Sequence, residues 1–439
     1  VLQTLRNAWK IEEIRKKLIF TLFFVLLYRL GNAVTVPYIE TALLREYFTS
    51  NNGTILGLLN TMSGSALERA SIFALSIQPY INASIIIQLL TIAIPALERL
   101  QKEGGEEGKK KMERVTRYAA IAIGVLQGYG YYTIIRTGAG GQSFLSAGAS
   151  GFLPAAIIVA SFVAGSTLLM WMGEQITEFG IGNGISIILF VSIISRFPAQ
   201  IGSAITRVAL PAADPSHLPW WIAALMLLGA LAIMVLIIIV TNSERRIPIQ
   251  YSKRVVGRKM YGGQSTHLPM KVNMSGVMPV IFAQSIASIP ATIAAFVPSL
   301  SRPESWVNTI FGQTSWLYMA VYFGLIVFFS YFYSTIQFNP IEIANNLKKN
   351  GGFIPGFRAG RPTSDFITRV LTKITLFGAI YLAVIAIAPI MIAHFSPSAA
   401  ASGISLGGTS IIIVISVALE TMKQLESQML MRHYKGFLE

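Results

Sequence analysis

Three stretches of the chain have residue types and spacings that could do chemistry. Gly403-Ile404-Ser405-Leu406-Gly407 fits the G-x-S-x-G pattern of a serine nucleophile, and Glu420 and His433 follow it in hydrolase order. That motif works on a strand-turn-helix elbow. Here it sits in a loop entering an apolar helix, so a capping loop is the better reading. Gly104-Gly105-Glu106-Glu107-Gly108-Lys109-Lys110 approaches a phosphate loop, but the spacing is one residue short and Lys110 replaces the required Ser or Thr. It reads instead as a solvated loop. Gly180-Ile181-Gly182-Asn183-Gly184 has the glycine spacing of nucleotide sites, yet no strand precedes it and an apolar span follows. Cysteine is absent, which removes disulfides, thiolate metal sites and thiol nucleophiles. The four histidines, at 217, 267, 394 and 433, are too scattered to build a metal site. The chain is therefore expected to be no enzyme and to hold no cofactor and no metal. Any energy source must be a partner or the membrane potential.

The elements that would carry these residues explain why such motifs arise by chance. Of 439 residues, 53% are hydrophobic and 13% charged, and the mean hydropathy is +0.59. Soluble chains carry about 25% charged residues, so a soluble protein is excluded, and so is a disordered one. Apolar segments recur at about 18–38, 76–97, 116–136, 152–173, 183–202, 219–241, 275–298, 316–336, 368–393 and 409–428. Each is near the ~20 residues that span a bilayer as a helix. Arg196 and Pro198 interrupt one of them, and Gln284, Ser285 and Pro290 another, as expected where a helix faces protein or water. The first segment carries Arg29 and no small-residue cleavage pattern follows it, which argues against a signal peptide.

Lys and Arg set the orientation. They crowd the N-terminal tail, the 98–117 and 242–274 loops, the 337–373 region and the C-terminal tail, and give the chain a formal net charge of +15. The opposite side receives Arg45, Arg69, Arg136, Arg196, Arg207 and Arg302, and Arg29 lies inside the first span. Both termini are thus expected in the cytoplasm. The fold class expected is an all-α integral membrane protein, with ten transmembrane helices in two halves, 1–202 and 203–439. A five-span half inserts upside down relative to the next, so the halves should be inverted repeats. No residue-level repeat is visible between them. Ion-coupled transporters place ionisable residues near the midplane. Here Glu174, Glu178, Glu342 and Glu420 lie near span ends, and Arg29 reads as a snorkelling or partner-contacting cation.

Six stretches in order resemble the SecY/Sec61-alpha family of protein-conducting channel subunits. They are Arg69–Leu75 with Pro79–Leu90, Gly180–Ile187, Glu244–Tyr251 (ERRIPIQY), Gly352–Gly360 (GFIPGFRAG) and Gly407–Ser410 (GGTS). The resemblance covers essentially the whole chain. It implies two five-helix halves around a central hourglass pore, in the bacterial cytoplasmic membrane. The function implied is translocation of unfolded secretory polypeptides, with lateral release of transmembrane segments into lipid. A secondary transporter built on inverted repeats is the alternative, and it would need a midplane site that the sequence does not display.

Carried over by motif, the family's pore ring falls on Ile81, Ile85, Ile185, Leu189, Ile281 and Ile413. From periodicity alone these residues read as ordinary helix packing. The i, i+4 pairs Ile81/Ile85 and Ile185/Leu189 do each share a helix face. The family's plug corresponds to about 59–70, with Asn60, Thr61, Met62, Ser63, Gly64, Ser65, Ala66 and Leu67 at its centre. Its hydroxyl and amide side chains could cap helices. The family's docking surface for a motor or ribosome corresponds to loops 242–274 and 337–367. Arg245, Arg246, Lys253, Arg254, Arg258, Lys259, Arg358 and Arg361 lie there, suited to RNA phosphates or acidic protein surfaces. Gln127, Gln284 and Ser285 are candidate lateral-gate contacts. The partners implied are the SecE and SecG subunits, the SecA motor ATPase, the ribosome, signal sequences and nascent polypeptides, and anionic lipids.

Overall fold

The computed structural model describes all residues except 1, 51–59, 61–62, 139–142, 147, 150, 211–218, 252–253, 257–258, 262–264, 291–314, 396–407 and 436–439. In chain order the helices are α1 (Leu2–Lys10), α2 (Glu12–Gly31), α3 (Thr41–Ser50), α4 (Gln78–Ala93), α5 (Pro95–Glu103), α6 (Gly105–Thr137), α7 (Phe152–Phe179) and α8 (Gly184–Ile194). They continue as α9 (Phe197–Ala209), α10 (Trp220–Asn242), α11 (Met278–Ala287), α12 (Trp316–Gln337), α13 (Pro340–Lys349), α14 (Arg361–Phe395) and α15 (Gly408–Lys435).

Six stretches of helix among the described residues are long and apolar enough to cross a membrane: Phe152–Phe179, Gly184–Ala209, Trp220–Asn242, Trp316–Lys349, Arg361–Met391 and Gly408–Met431. The other four apolar segments also hold helices, α2, α4, α6 and α11, and each falls short for an identifiable reason. Arg15, Lys16, Lys17 and Arg29 lie within α2. The apolar part of α6, 118–135, carries no charge, but Gln127, Gly124, Gly128, Gly130 and four tyrosines lower its hydropathy. At 16 residues, α4 is about 24 Å long, under the ~30 Å of a hydrocarbon core. Helix α11 has 10 residues, and part of the segment beyond it lies outside the described residues.

Prolines set two boundaries that hydropathy does not resolve. The 76–97 segment ends its helix at Ala93 because Pro95, with no N–H to donate, starts α5. The 183–202 segment splits at Ser195 and Arg196, and Pro198 stands in the first turn of α9. Residues 104–110, expected as a loop, are instead the junction where α5 gives way to α6. Gly180–Gly184 is the turn from α7 to α8, and its Asn183 caps α8 by accepting from the Ile185 and Ser186 N–H groups at 3.1 and 3.3 Å. The run Gly403–Gly407 lies outside the described residues.

The fold also departs from an all-helical expectation. Strand β1 (Glu244–Tyr251) pairs antiparallel with β4 (Ser265–Lys271) and, at its far end, with β5 (Gly352–Phe353), while β2 (Arg254–Val256) and β3 (Lys259–Tyr261) form a hairpin between them. Ile247 and Ile249 alternate with exposed Arg246, Pro248 and Gln250, so one face of β1 is buried. Beneath it lies a small core of Ile247, Ile249, Met270, Leu347, Ile354 and Ile367. Pro248 is tolerated because β5 pairs only with Gln250 and Tyr251, leaving the β1 edge free at the proline.

The main core is one cluster to which α2, α4, α7, α8, α11, α12, α14 and α15 all contribute. It therefore joins the two ends of the sequence. Across it, α4 packs on α11 and α8 on α15. Helix α14 contains Pro389, which cannot donate to the Ile385 carbonyl one turn earlier. Gly408 lies against that same carbonyl, where a Cβ would collide with it and stand 3.1 Å from the Pro389 ring.

Candidate functional site

Four helices bring the six aliphatic residues to one large apolar cluster. Ile81 and Ile85 come from α4, Ile185 and Leu189 from α8, Ile281 from α11 and Ile413 from α15. Ile81, Ile85, Leu189, Ile281 and Ile413 are buried members of the central cluster, and the partly buried Ile185 packs against it. The i, i+4 pairs on α4 and α8 do turn one face toward it.

The segment from Ser63 to Ala70 is a run of turns, not a capped helix. Thr61, Met62 and Leu59 lie outside the described residues. Asn60, Ser63, Ala66 and Leu67 are buried. The side chains expected to cap helices close the turn instead. The Asn60 amide donates to the Glu68 carboxylate at 2.7 Å and its carbonyl accepts the Glu68 N–H at 3.1 Å. Ser63 Oγ donates to the Asn60 carbonyl at 3.0 Å and accepts the Leu67 N–H at 3.3 Å. Gly64, at φ +67°, lies on the end of α8, where a Cβ would come within 2.9 Å of the Ser192 carbonyl. Ser65 and Ala70 also have left-handed backbones, at φ 69° and 44°, a conformation that costs about 1–3 kcal/mol per non-glycine residue.

Ala66 belongs to the same cluster as the six aliphatic residues, whereas Leu67 faces a second cluster containing Leu44, Phe48, Tyr131 and Phe162. The turn thus bridges the central junction and the packing around α3, α6 and α7. Two tyrosines hold it. The Tyr28 hydroxyl, from α2, donates to the Ser63 carbonyl at 3.3 Å and meets Ser192 Oγ of α8 at 2.6 Å. The Tyr131 hydroxyl, from α6, donates to the Leu67 carbonyl. Tyr28 also stacks on Phe73, with ring centroids 5.8 Å apart. Sequence reasoning passed over Tyr28, Tyr131 and Ser192. Their only signal is a hydroxyl inside an apolar helix, which when buried must find a partner.

Gln284 and Ser285 are buried on α11, which packs on α4, α12 and α14. Gln127 is half-buried on α6, whose main neighbours are α4, α5 and α7. Helix α4 is therefore the element that packs on both α6 and α11.

On the basic surface, Arg245 and Arg246 are exposed on β1, and Arg246 Nε donates to Glu244 at 2.8 Å. Arg254 and Lys259 lie on β2 and β3, whereas Lys253 and Arg258 fall outside the described residues. Arg358 and Arg361 are exposed around a turn whose Gly356 and Gly360 have φ of 87° and 103°. The Arg358 carbonyl accepts from Thr363 Oγ1 at 2.8 Å, and Phe357 packs on Phe366 with centroids 4.3 Å apart, which anchors the turn to α14. Strand β5, a few residues before this turn, pairs with β1.

Known proteins match this arrangement along its length. A family model described as SecY covers residues 71–422. The protein translocase subunit SecY of Streptomyces scabiei is 42% identical over 445 residues, with both chains fully covered. That of Streptomyces coelicolor is 43% identical, again over the whole of both chains. The Mycobacterium bovis subunit is 42% identical over 99% of each. Among solved structures, one described as the structure of a protein conducting channel aligns with a TM-score of 0.63 at 17% identity, covering 94% of this chain and 92% of its own. Another, described as the plug domain of the SecY protein that stabilises the closed state of the translocation channel, gives 0.62 over the same shares. Sec61 in a canine ribosome-channel complex gives 0.59 at 15% identity. At such identities these structures speak to the fold alone.

Proposed function

The chain belongs to the SecY family, and from that premise we propose that it is a membrane channel that conducts unfolded polypeptides, with the cluster of Ile81, Ile85, Ile185, Leu189, Ile281 and Ile413 as its constriction. It is a channel subunit and not an enzyme. Membership in this family leaves the secondary-transporter alternative without support.

One observation supports the residue assignment: both halves of the sequence contribute these residues to a single apolar cluster, through α4 and α8 on one side and α11 and α15 on the other. A ring of apolar side chains excludes ions because hydrating so narrow an apolar constriction is unfavourable. Lacking hydrogen-bond donors and acceptors, it grips no particular sequence, so dissimilar chains can slide through. Dispersion contacts of ~0.1–0.2 kcal/mol per atom pair let it close around a moving chain and reopen without a large barrier.

The ten helical segments, arranged as two inverted halves 1–202 and 203–439, would surround this junction. Residues 60–67 would be its plug, with Ala66 in the same cluster. Helices α4 and α11 come from the two different halves of the sequence and pack on each other, and a lateral exit would lie there with Gln127, Gln284 and Ser285 as its polar contacts. The basic surface formed by Arg245 and Arg246 of β1, Arg254 of β2, Lys259 of β3, Arg358 in its turn and Arg361 at the start of α14 would receive SecA or the ribosome, together with Lys253 and Arg258. SecE and SecG would complete the complex in a bacterial cytoplasmic membrane, with both termini cytoplasmic. Signal sequences and nascent chains would be the cargo, and anionic lipids would meet the basic rim.

The test is photo-crosslinking. A secretory chain arrested in transit, in vesicles bearing the reconstituted complex, should label Ile81, Ile185 and Ile413 when the probe reaches the membrane midplane. Labelling that avoids all three removes the constriction assignment.

A further inference from the structure

The Tyr28 contact holds fewer hydrogens than its geometry uses. Tyr28 OH lies 3.3 Å from the Ser63 carbonyl and 2.6 Å from Ser192 Oγ, and Ser192 Oγ lies 2.7 Å from the Ile188 carbonyl. Each hydroxyl carries one hydrogen, so two hydrogens serve three contacts. Tyr28, Ser63 and Ser192 are all buried. Asn32, also buried and one helical turn beyond Tyr28, has neither of its side-chain polar atoms in a hydrogen bond.

Only two assignments use both hydrogens well. In the first, Ser192 donates to Tyr28 and Tyr28 donates to the Ser63 carbonyl, so the turn is held. In the second, Tyr28 donates to Ser192 and Ser192 donates to the Ile188 carbonyl, the back-bonded arrangement common for serine within a helix. The Ser63 carbonyl then keeps only the long bond from the Ala66 N–H, at 3.4 Å.

We propose that Tyr28 and Ser192 form a two-position latch on the turn that begins at Ser63, closed when Tyr28 donates to Ser63 and open when it donates to Ser192. The latch rests on the reading of that turn as the plug. Switching needs only the rotation of two hydroxyls, a fast motion that moves no heavy atom. Ser192 sits three residues after Leu189 on α8, so the latch is built into the helix that supplies the constriction. Tyr28 is a positioning residue: it touches no cargo and acts through the turn.

The latch makes the two partners oppose each other, which simple packing would not. Removing the Tyr28 hydroxyl leaves Ser63 unheld. Removing the Ser192 hydroxyl leaves Ser63 as the acceptor for Tyr28 and fixes the latch closed. The experiment measures resting ion leak in planar bilayers containing the full complex. Tyr28→Phe should raise the leak about fivefold, the equivalent of ~1 kcal/mol for one net hydrogen bond, and Ser192→Ala should leave it at or below the parent value. A Tyr28→Phe leak equal to the parent's overturns the latch, as does a Ser192→Ala leak as large as that of Tyr28→Phe. If Tyr28→Phe fails to accumulate in the membrane, Ser192→Ala decides alone. A leak above the parent's overturns the latch, and a leak at or below it with slower cargo-driven opening supports it. Deleting residues 60–67 separates the two readings. An unchanged leak after deletion overturns the plug and the latch together, whereas a leaky deletion with silent point variants overturns the latch only.

Discussion

Gln250 and Phe353 are antiparallel partners, the point at which the two long loops of the second half become one sheet. Each loop alone is a basic, glycine- and proline-rich excursion. Joined, they share a buried core under β1, and the exposed arginines on β1 and around Arg358 keep a fixed spacing.

Ile249→Ala should uncouple them. It empties a buried position in a small core, where such truncations cost about 2–5 kcal/mol. Hydrogen exchange should accelerate over 244–251 and 265–271 while α7 and α14 stay protected. Unchanged exchange in the two strands would show that the sheet does not depend on this core.

Arg358→Glu tests the docking face. The side chain is exposed and the turn is held by Thr363 and by the Phe357–Phe366 contact, so folding and membrane insertion should be unaffected. Motor- or ribosome-driven transport into vesicles should fall by at least tenfold. Transport at the parent rate would remove this arginine from the docking surface.

Replacing Ile85 and Ile281 together with Ser puts hydroxyls into the junction from α4 and α11 at once. Water enters a polar constriction more readily, so the resting conductance of bilayers should rise. A conductance indistinguishable from the parent's would mean that these side chains do not seal.

Gly64→Ala adds a Cβ within 2.9 Å of the Ser192 carbonyl and forces a left-handed alanine, for an expected cost of about 1–3 kcal/mol. The turn should lose its seat on α8, and a protease site engineered beside it should be cut faster. Equal cutting would show that the close approach does not matter.

The apolar runs at 219–241 and 316–336 match α10 and α12 within a residue, because nothing but hydropathy decides helices so uniformly apolar. Where other forces compete, the sequence was harder to read. Arg15–Lys17 were read as a tail before the first span, yet they lie inside α2, since straight-chain residues favour helix whether or not lipid surrounds them. The sheet escaped notice because Ile247 and Ile249 make too short an alternation, and its other strands come from residues far along the chain. The six aliphatic residues were found through motif resemblance, for no local pattern distinguishes an isoleucine in a constriction from one in a core. Tyr28 and Ser192 could not be paired from sequence at all, because only the packing of α2 on α8 brings them together.

Pro389 and Gly408 are each poor helix residues on their own, yet they are matched. The proline leaves the Ile385 carbonyl without its helical donor, and the glycine lets the start of α15 close over that oxygen. The pair is unequal under mutation. Pro389→Ala would return a hydrogen bond to α14 and add no bulk, so it should be tolerated. Any side chain at 408 must push α15, and Ile413 with it, away from α14. Substitution can therefore proceed safely from one end of this contact only, and Gly408 is the position at which drift is barred.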